Sequence, residues 1–257
     1  MVLSNLKNKA EKLALNDITL ILPYYNQPEM LKRQLEFIAH YPKDFKVIVV
    51  DDGSADRADF HVAHWNENLA VYRILEDIPW NRNGARNLGA FMAQTKWIIQ
   101  TDIDHVLPGT DAEDLQSLTL DPNQWYRFCR VRVGKADETR KKDLIDPNAG
   151  YGEIKPHIDS YLITRERFLS SPYDERYRGF LGGGSPFLSR MKRLYGEAAL
   201  LPNNVSLWVH TRHSVPDSST QNLSRDPTQY KEMRRKIEAS GDDTPIKPLN
   251  FAWERVL

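Results

Sequence analysis

Apolar residues in the N-terminal part of the chain come as short unbroken runs divided by amphipathic stretches. Ile18-Thr19-Leu20-Ile21-Leu22 is a run of strand length closed by Pro23. Such a run predicts a strand buried on both faces, the kind found in a parallel sheet covered by helices. Pro28 stands where a first helical residue is preorganised, and Leu31, Leu35 and Ile38 recur at i, i+4 and i+7 as one buried stripe. Lys46-Val47-Ile48-Val49-Val50 repeats the strand pattern and ends in Asp51-Asp52-Gly53-Ser54. Two strands joined by one helix predict a right-handed βαβ unit, whose ligands gather beyond the carboxyl ends of the strands. Ala70 to Leu75 predicts a third strand, and Ala85, Leu88 and Met92 a second helix in which Gly84 and Gly89 permit close backbone approach. Trp97-Ile98-Ile99-Gln100-Thr101 is a further apolar run, and it stops abruptly at Asp102-Ile103-Asp104-His105.

Further along, the pattern loosens. Trp125 to Val133 predicts a strand in which Arg127, Arg130 and Arg132 interleave with aromatics and valines, and Ile158 to Ile163 predicts another. Ser185 and Pro186 suit the N-cap and first residue of a helix running to about Tyr195, with Gly196 past its end. Val205 to His210 predicts a late strand, and Gln229 to Ala239 a late helix. At the other end, Leu6, Ala10 and Leu13 fall at helical spacing, so residues 1–16 are expected to hold a short amphipathic helix.

Composition narrows the function classes. The 257 residues include 35 basic and 35 acidic side chains, so no global field argues for nucleic acid or an anionic membrane. The single cysteine, Cys129, excludes an internal disulfide and fits a reducing compartment. No apolar run approaches the roughly 18 to 20 residues of a membrane span. Lys7, Lys9 and Lys12 interrupt the first residues, which lack the apolar core of a secretory signal. A cytoplasmic location is the expectation.

Chemistry enters at the strand ends. Side chains alternate along a strand, so Asp102 and Asp104 project the same way. Two carboxylates on one face suit a hard divalent cation, Mn²⁺ or Mg²⁺, and such a cation can hold a diphosphate. Arg82 and Arg86, four apart, share a helix face near its start, an arrangement suited to phosphate. Tyr24, Tyr25, Asp51 and Asp52 fall at the carboxyl ends of their strands, on the ligand side of the sheet. Each feature alone is also consistent with a solvated turn or a surface charge.

Together they resemble the nucleotide-sugar domain of GT-A-fold glycosyltransferases, especially family 2. The resemblance covers about residues 17 to 110 and rests on four stretches. These are Ile21-Leu22-Pro23-Tyr24-Tyr25-Asn26, Val49-Val50-Asp51-Asp52-Gly53-Ser54, Gly84-Ala85-Arg86-Asn87 and Asp102-Ile103-Asp104. It implies a single α/β domain of Rossmann-like type, with a mostly parallel sheet flanked by helices. That domain would span 17–214, with a nucleotide-sugar half at 17–110 and an acceptor half at 111–214; the tail 215–257 could close over the donor as a lid. It further implies that Tyr25 lies against the nucleotide base, that Pro23 belongs to the nucleotide-sugar site, that Asp52 accepts a hydrogen bond from the base, and that Arg82 and Arg86 steady the diphosphate. Asp104 would bind Mn²⁺ or Mg²⁺ directly, Asp102 would help with the metal or the ribose, and His210 would complete the metal site, with His213 in reserve and His105 as an alternative. The reaction implied is sugar transfer from a nucleoside diphosphate sugar, a UDP-sugar, to a hydroxyl acceptor.

The acceptor half departs from the family pattern. Inverting members carry Glu-Asp or Asp-Asp at the start of a late helix, one carboxylate serving as general base. Here the corresponding stretch reads Leu181-Gly182-Gly183-Gly184-Ser185-Pro186-Phe187. Asp159, Asp174 and Glu175 are unranked candidates for a base drawn from elsewhere. A retaining enzyme would need no base at this position, and a non-catalytic nucleotide-sugar binding protein would need none at all. The acceptor is open: a glycan, a protein, or a hydroxymethylated base in DNA. The last is suggested only by the local basic residues Arg127, Arg130, Arg132, Lys135, Arg140, Lys141, Lys142, Arg190, Lys192 and Arg193.

Overall fold

The computed structural model describes residues 10–62, 68–133, 155–178, 184–210, 227–239 and 247–257. Its strands are β1 (Glu11–Lys12), β2 (Ile18–Tyr24), β3 (Lys46–Asp51), β4 (Leu69–Ile74), β5 (Trp97–Gln100) and β6 (His105–Val106), followed by β7 (Thr119–Leu120), β8 (Tyr126–Val133), β9 (Lys155–Thr164), β10 (Ala199–Leu200), β11 (Ser206–His210) and β12 (Trp253–Arg255). The helices are α1 (Pro28–Ile38), α2 (Asp59–Val62), α3 (Arg82–Met92), α4 (Gly109–Asp114), α5 (Arg165–Ser170), α6 (Gly184–Tyr195) and α7 (Pro227–Ala239). One large sheet runs in the order β12-β4-β3-β2-β5-β9-β8-β11-β6, with β10 beside β8.

The unbroken apolar runs become the centre of this sheet, and their alternation builds two cores. Leu20, Leu22, Val47, Val49 and Ile99 point to one face and meet Leu31, Leu35 and Ile38 of α1. Ile21, Ile48, Val50 and Ile98 point to the other, under Ala85 and Leu88 of α3 and Phe187 and Met191 of α6. A strand with helices on both faces has no polar side, which is why these runs lack alternation. Gly89 lets α3 sit down on the sheet: a Cβ there would lie 2.3 Å from Ile21 Cγ2.

Strands β4, β3, β2 and β5 are parallel, as expected. Beyond β5 the expectation of a mostly parallel sheet needs one refinement, since antiparallel strands join it while β10 and β11 run parallel to β8. Strand β9 runs antiparallel to β5 and β8 antiparallel to β9, so the sheet is mixed. A continuous apolar run reports burial on both faces, not direction, and Tyr161-Leu162-Ile163 is as buried as any parallel strand.

The N-terminal helix is a second correction for residues 10–16; residues 1–9 lie outside those described. Glu11 and Lys12 pair antiparallel with Leu120 and Thr119 instead. Glu11 accepts from Trp97 Nε1 at 3.2 Å and Lys96 Nζ at 2.6 Å, while Leu13 is buried. Tertiary partners override a helical spacing this short. Within the tail 247–257, expected as part of a lid, β12 forms a strand on the sheet edge: Trp253 pairs with Ile74 and Arg255 with Tyr72. Residues 211–226, including His213, lie outside those described. Among the described residues no helix is long and apolar enough to cross a membrane.

Candidate active site

The site forms where β2, β3 and β5 release their carboxyl ends. The turn after β3 is held by Asp51, whose Oδ1 accepts the Ser54 N–H and whose Oδ2 accepts Ala58 N–H and Arg73 Nη1, all at 2.8–2.9 Å. Gly53 makes it possible, with φ +75° and a virtual Cβ 2.4 Å from the Glu76 carbonyl oxygen. Asp51 thus has both oxygens committed to the turn. Asp52 is buried, its Oδ1 has no hydrogen-bond partner among the described residues, and burial pushes its carboxyl well above the ordinary range, with the neighbouring Asn81 opposing. Tyr25, partly exposed beside half-buried Pro23, donates its hydroxyl to Asp77 Oδ1 at 3.0 Å.

Strand β5 delivers the acidic pair. Asp102 is partly buried, and its Oδ1 accepts Arg86 Nη2 at 2.6 Å and Arg82 Nη1 at 3.4 Å. Burial opposes ionisation, yet Arg86, Arg82 and the nearby histidines hold its carboxyl well below the usual range. Asp104 is more open, 41% exposed, and its Oδ1 lies 2.6 Å from His105 Nδ1. Gln34 on α1, unforeseen from the sequence, donates Nε2 to the Ile103 and His105 carbonyls at 2.9 and 2.8 Å and so fixes the turn between the carboxylates. The available signal was a polar residue inside the buried stripe of an amphipathic helix.

The two arginines do share a face and a partner, but they differ in access. Arg86 is completely buried, with Nη1 donating to Tyr173 Oη at 2.8 Å and Nη2 to Asp102. Arg82 retains 15% exposure and bridges Asp102 to Asp159, whose Oδ2 lies 3.3 Å from the same Nη1.

His157 on β9 is the residue the sequence did not mark. Its ring stacks on His105, centroids 4.1 Å apart at 17°, and its Nδ1 lies 2.7 Å from Ser160 Oγ. Burial and the His105 ring lower its pKa to about 3, so it is neutral. Donor atoms of Asp102, Asp104 and His105 lie within 4.8 Å of one another, as do those of Asp102, His157 and Asp159. His105 Nε2 is buried without a partner among the described residues. Hard carboxylates beside neutral imidazole fit a divalent cation. The side chain of His210 lies outside the described residues, but its strand is placed. Val209 pairs with His105 in the antiparallel β6–β11 ladder, and His210 pairs with Val133 of β8.

Of the other carboxylates, Asp174 is bonded to Arg176 at 2.8 Å. Glu175 accepts Asn87 Nδ2 and Leu249 N–H at 2.8 Å and Asn250 N–H at 3.2 Å, so its oxygens are committed to anchoring the C-terminal segment. Arg127 and Arg190 are spent on the His157 and Pro172 carbonyls rather than presented to a partner.

A half-parallel sheet with an acidic pair beyond β5 and arginines on the following crevice wall defines a GT-A-type fold. Solved structures share it: TarS residues 1–349 of S. aureus in complex with UDP-GlcNAc matches with TM-score 0.64 at 15% identity, over 90% of this chain and 68% of that one. The mannosyltransferase PcManGT of Pyrobaculum calidifontis, in complex with GDP-Man and Mn²⁺, matches with TM-score 0.53 at 17% identity, over 92% and 67%. The family model for glycosyl transferase family 2 matches residues 19–198, and the chain belongs to that family. Validoxylamine A glucosyltransferase of Streptomyces hygroscopicus subsp. limoneus is 35% identical over 153 residues, 58% of this chain and 30% of that protein. The uncharacterized glycosyltransferase YibD of Escherichia coli K12 is 25% identical over 117 residues, 45% of this chain and 34% of that protein. The chain thus spans about a third of the length of these curated relatives.

Proposed function

We propose that this family 2 chain is a glycosyltransferase that takes its sugar from a UDP-sugar and passes it to a hydroxyl acceptor, with Mn²⁺ or Mg²⁺ at Asp102 and Asp104. The observation that carries the reading is the acidic turn itself. Asp102 is ionised by Arg86 and Arg82, Asp104 is open, and Gln34 fixes the backbone between them. The TarS complex with UDP-GlcNAc and the PcManGT complex with GDP-Man and Mn²⁺ support a nucleotide-sugar donor on this fold.

The residues divide the work as follows. Asp52 Oδ1, buried and unpartnered, would accept an imide N–H from the base, and Tyr25 and Pro23 would flank the ring. Arg82, the accessible arginine, would meet the diphosphate, while Arg86 holds Asp102 in place from behind. Asp104, Asp102 and His210 would hold the cation, with His105 beside them. When bound, the cation would neutralise charge on the leaving diphosphate. A hydroxymethylated base in DNA is the less favoured acceptor, since Arg127 and Arg190 are engaged internally.

A second reading, a nucleotide-sugar binder without transfer, is motivated by glycine at the start of α6. Calorimetric titration of UDP and UDP-glucose, with and without Mn²⁺, tests the donor site on the native chain and on Asp104→Asn. Metal-dependent binding that the variant loses is the expected result. Equal binding by both proteins would remove Asp104 from the metal site. Nucleotide release from a bound donor separates transferase from binder.

A further inference from the structure

The floor of the cleft, where β9 meets α6, is arranged around a glycine. Asp159 stands there at 17% exposure, its Oδ2 held by Arg82 and its Oδ1 buried without a hydrogen-bond partner among the described residues. An unpartnered buried carboxylate oxygen is costly and rare, and calls for a functional explanation. Asp174 and Glu175, by contrast, have their oxygens filled by Arg176 and by Asn87, Leu249 and Asn250. The Arg82 guanidinium spans Asp102 and Asp159, so Asp159 sits one side chain away from the proposed diphosphate site.

Gly184 explains how the carboxylate fits. A Cβ at that position would lie 2.6 Å from Asp159 Oδ1 and 3.1 Å from Arg82 Nη2. The helix cannot retreat to make room, because Phe187 is stacked on Tyr173 at 4.0 Å and on Tyr161 at 5.4 Å. Glycine at the helix start and aspartate on the strand are therefore one arrangement: the side chain is absent from α6 so that a carboxylate can enter from β9.

We propose that Asp159 is the proton acceptor of the transfer, an inference that rests on the donor reading above. The acceptor oxygen attacks the anomeric carbon and its proton passes to the Asp159 carboxylate. The bond from that carbon to the diphosphate oxygen breaks, and its electron pair leaves with the nucleoside diphosphate. The sugar is transferred with inversion, and Asp159 afterwards returns its proton to water.

The test uses UDP-glucose, with water and then azide as nucleophiles, on the native chain, Asp159→Asn and Gly184→Ala. Azide has no proton to lose, so it bypasses a missing base. Asp159→Asn is expected to keep UDP and Mn²⁺ affinity within about twofold and to cut UDP release into water by about a hundredfold or more. Azide should restore release and give the β-glucosyl azide. Gly184→Ala, which displaces the carboxylate without removing it, should show the same pattern. Unchanged release in Asp159→Asn, a loss that azide does not recover, an α-azide, or weakened Mn²⁺ binding would each overturn the proposal; the last would make Asp159 a ligand. A native chain that binds no nucleotide sinks the donor reading and this inference with it. One that binds and turns over while Asp159→Asn behaves as native sinks this inference alone.

Discussion

The two halves of the sheet carry their chemistry differently. In the donor half each site residue stands at a strand end or helix start that the local pattern marks: Asp52 after β3, Arg82 opening α3, Asp102 after β5. Parallel topology delivers these ends to one edge, so a short motif is enough to place a side chain. In the acceptor half the chemistry is assembled across distance. Asp159 meets Arg82 from 77 positions away, and Glu175 is bonded by backbone 74 and 75 positions further on. Gly184 contributes by having no side chain. Antiparallel strands and packed helices place residues by contact rather than by connectivity, and contact leaves little trace in a local pattern.

The comparison breaks most severely at Arg86, where the halves are tied by a buried charge. Arg86→Met leaves Asp102 with its longer Arg82 contact only and removes the donor to Tyr173. Removing one partner of a buried pair costs roughly 3–5 kcal/mol. Urea unfolding should show a loss of that size, and a change below about 1 kcal/mol would mean the pair does not join the halves. Asp104→Asn should do the reverse. Its side chain is 41% exposed, so unfolding should hardly move, while turnover falls on the order of 10²–10³-fold. A smaller step is expected at Glu175. Glu175→Gln takes one acceptor from the N–H groups of Leu249 and Asn250, at about 1–3 kcal/mol. Faster amide exchange confined to 249–257 would show that the carboxylate anchors the tail; unchanged exchange would show that β12 holds alone.

Legibility in the sequence follows the same division. Strands β2, β3, β4 and β5 and helices α1 and α3 were readable because runs buried on two faces and stripes buried on one are set by local composition. The place of the acidic turn at the end of β5 is legible from that frame, whereas the role expected of Asp52 comes from the family resemblance alone. The direction of β9, the pairing of Glu11–Lys12 with β7 and the docking of Trp253–Arg255 beside β4 were not readable, since each depends on a distant partner. The shared face of Arg82 and Arg86 is legible, but the burial of Arg86 against Tyr173 is not, and with it the difference in access between the two arginines. His157 carried no signal, because a lone histidine on a strand acquires meaning only from the His105 ring stacked on it.

The finest test lies within the acceptor half, at Asp111, where α4 meets β11. This carboxyl on α4 is buried, with Oδ2 accepting the Ser206 N–H of β11 at 2.8 Å and Oδ1 accepting Thr110 Oγ1 at 3.2 Å. Burial, with Asp114 adding to it, pushes its pKa from the ordinary 3.8 to about 7, against the Ser206 and Thr110 hydrogen bonds. Between those two values the unfolded chain has lost the proton and the folded chain keeps it. Stability from this group is therefore full below about pH 4 and is lost as pH rises to about 7, by at most about 1.4 kcal/mol per pH unit. His157 acts with the opposite sign, since its pKa is lowered from 6.5 to about 3 and its contribution is lost as pH falls through that window. The native stability curve alone would blend the two, so the informative quantity is the difference between native and Asp111→Asn, in which His157 cancels. Asparagine keeps an oxygen for the Ser206 N–H and never ionises. The variant should gain on the native chain steadily from pH 4 to pH 7 in urea unfolding, and parallel curves would show that Asp111 is not held protonated against β11.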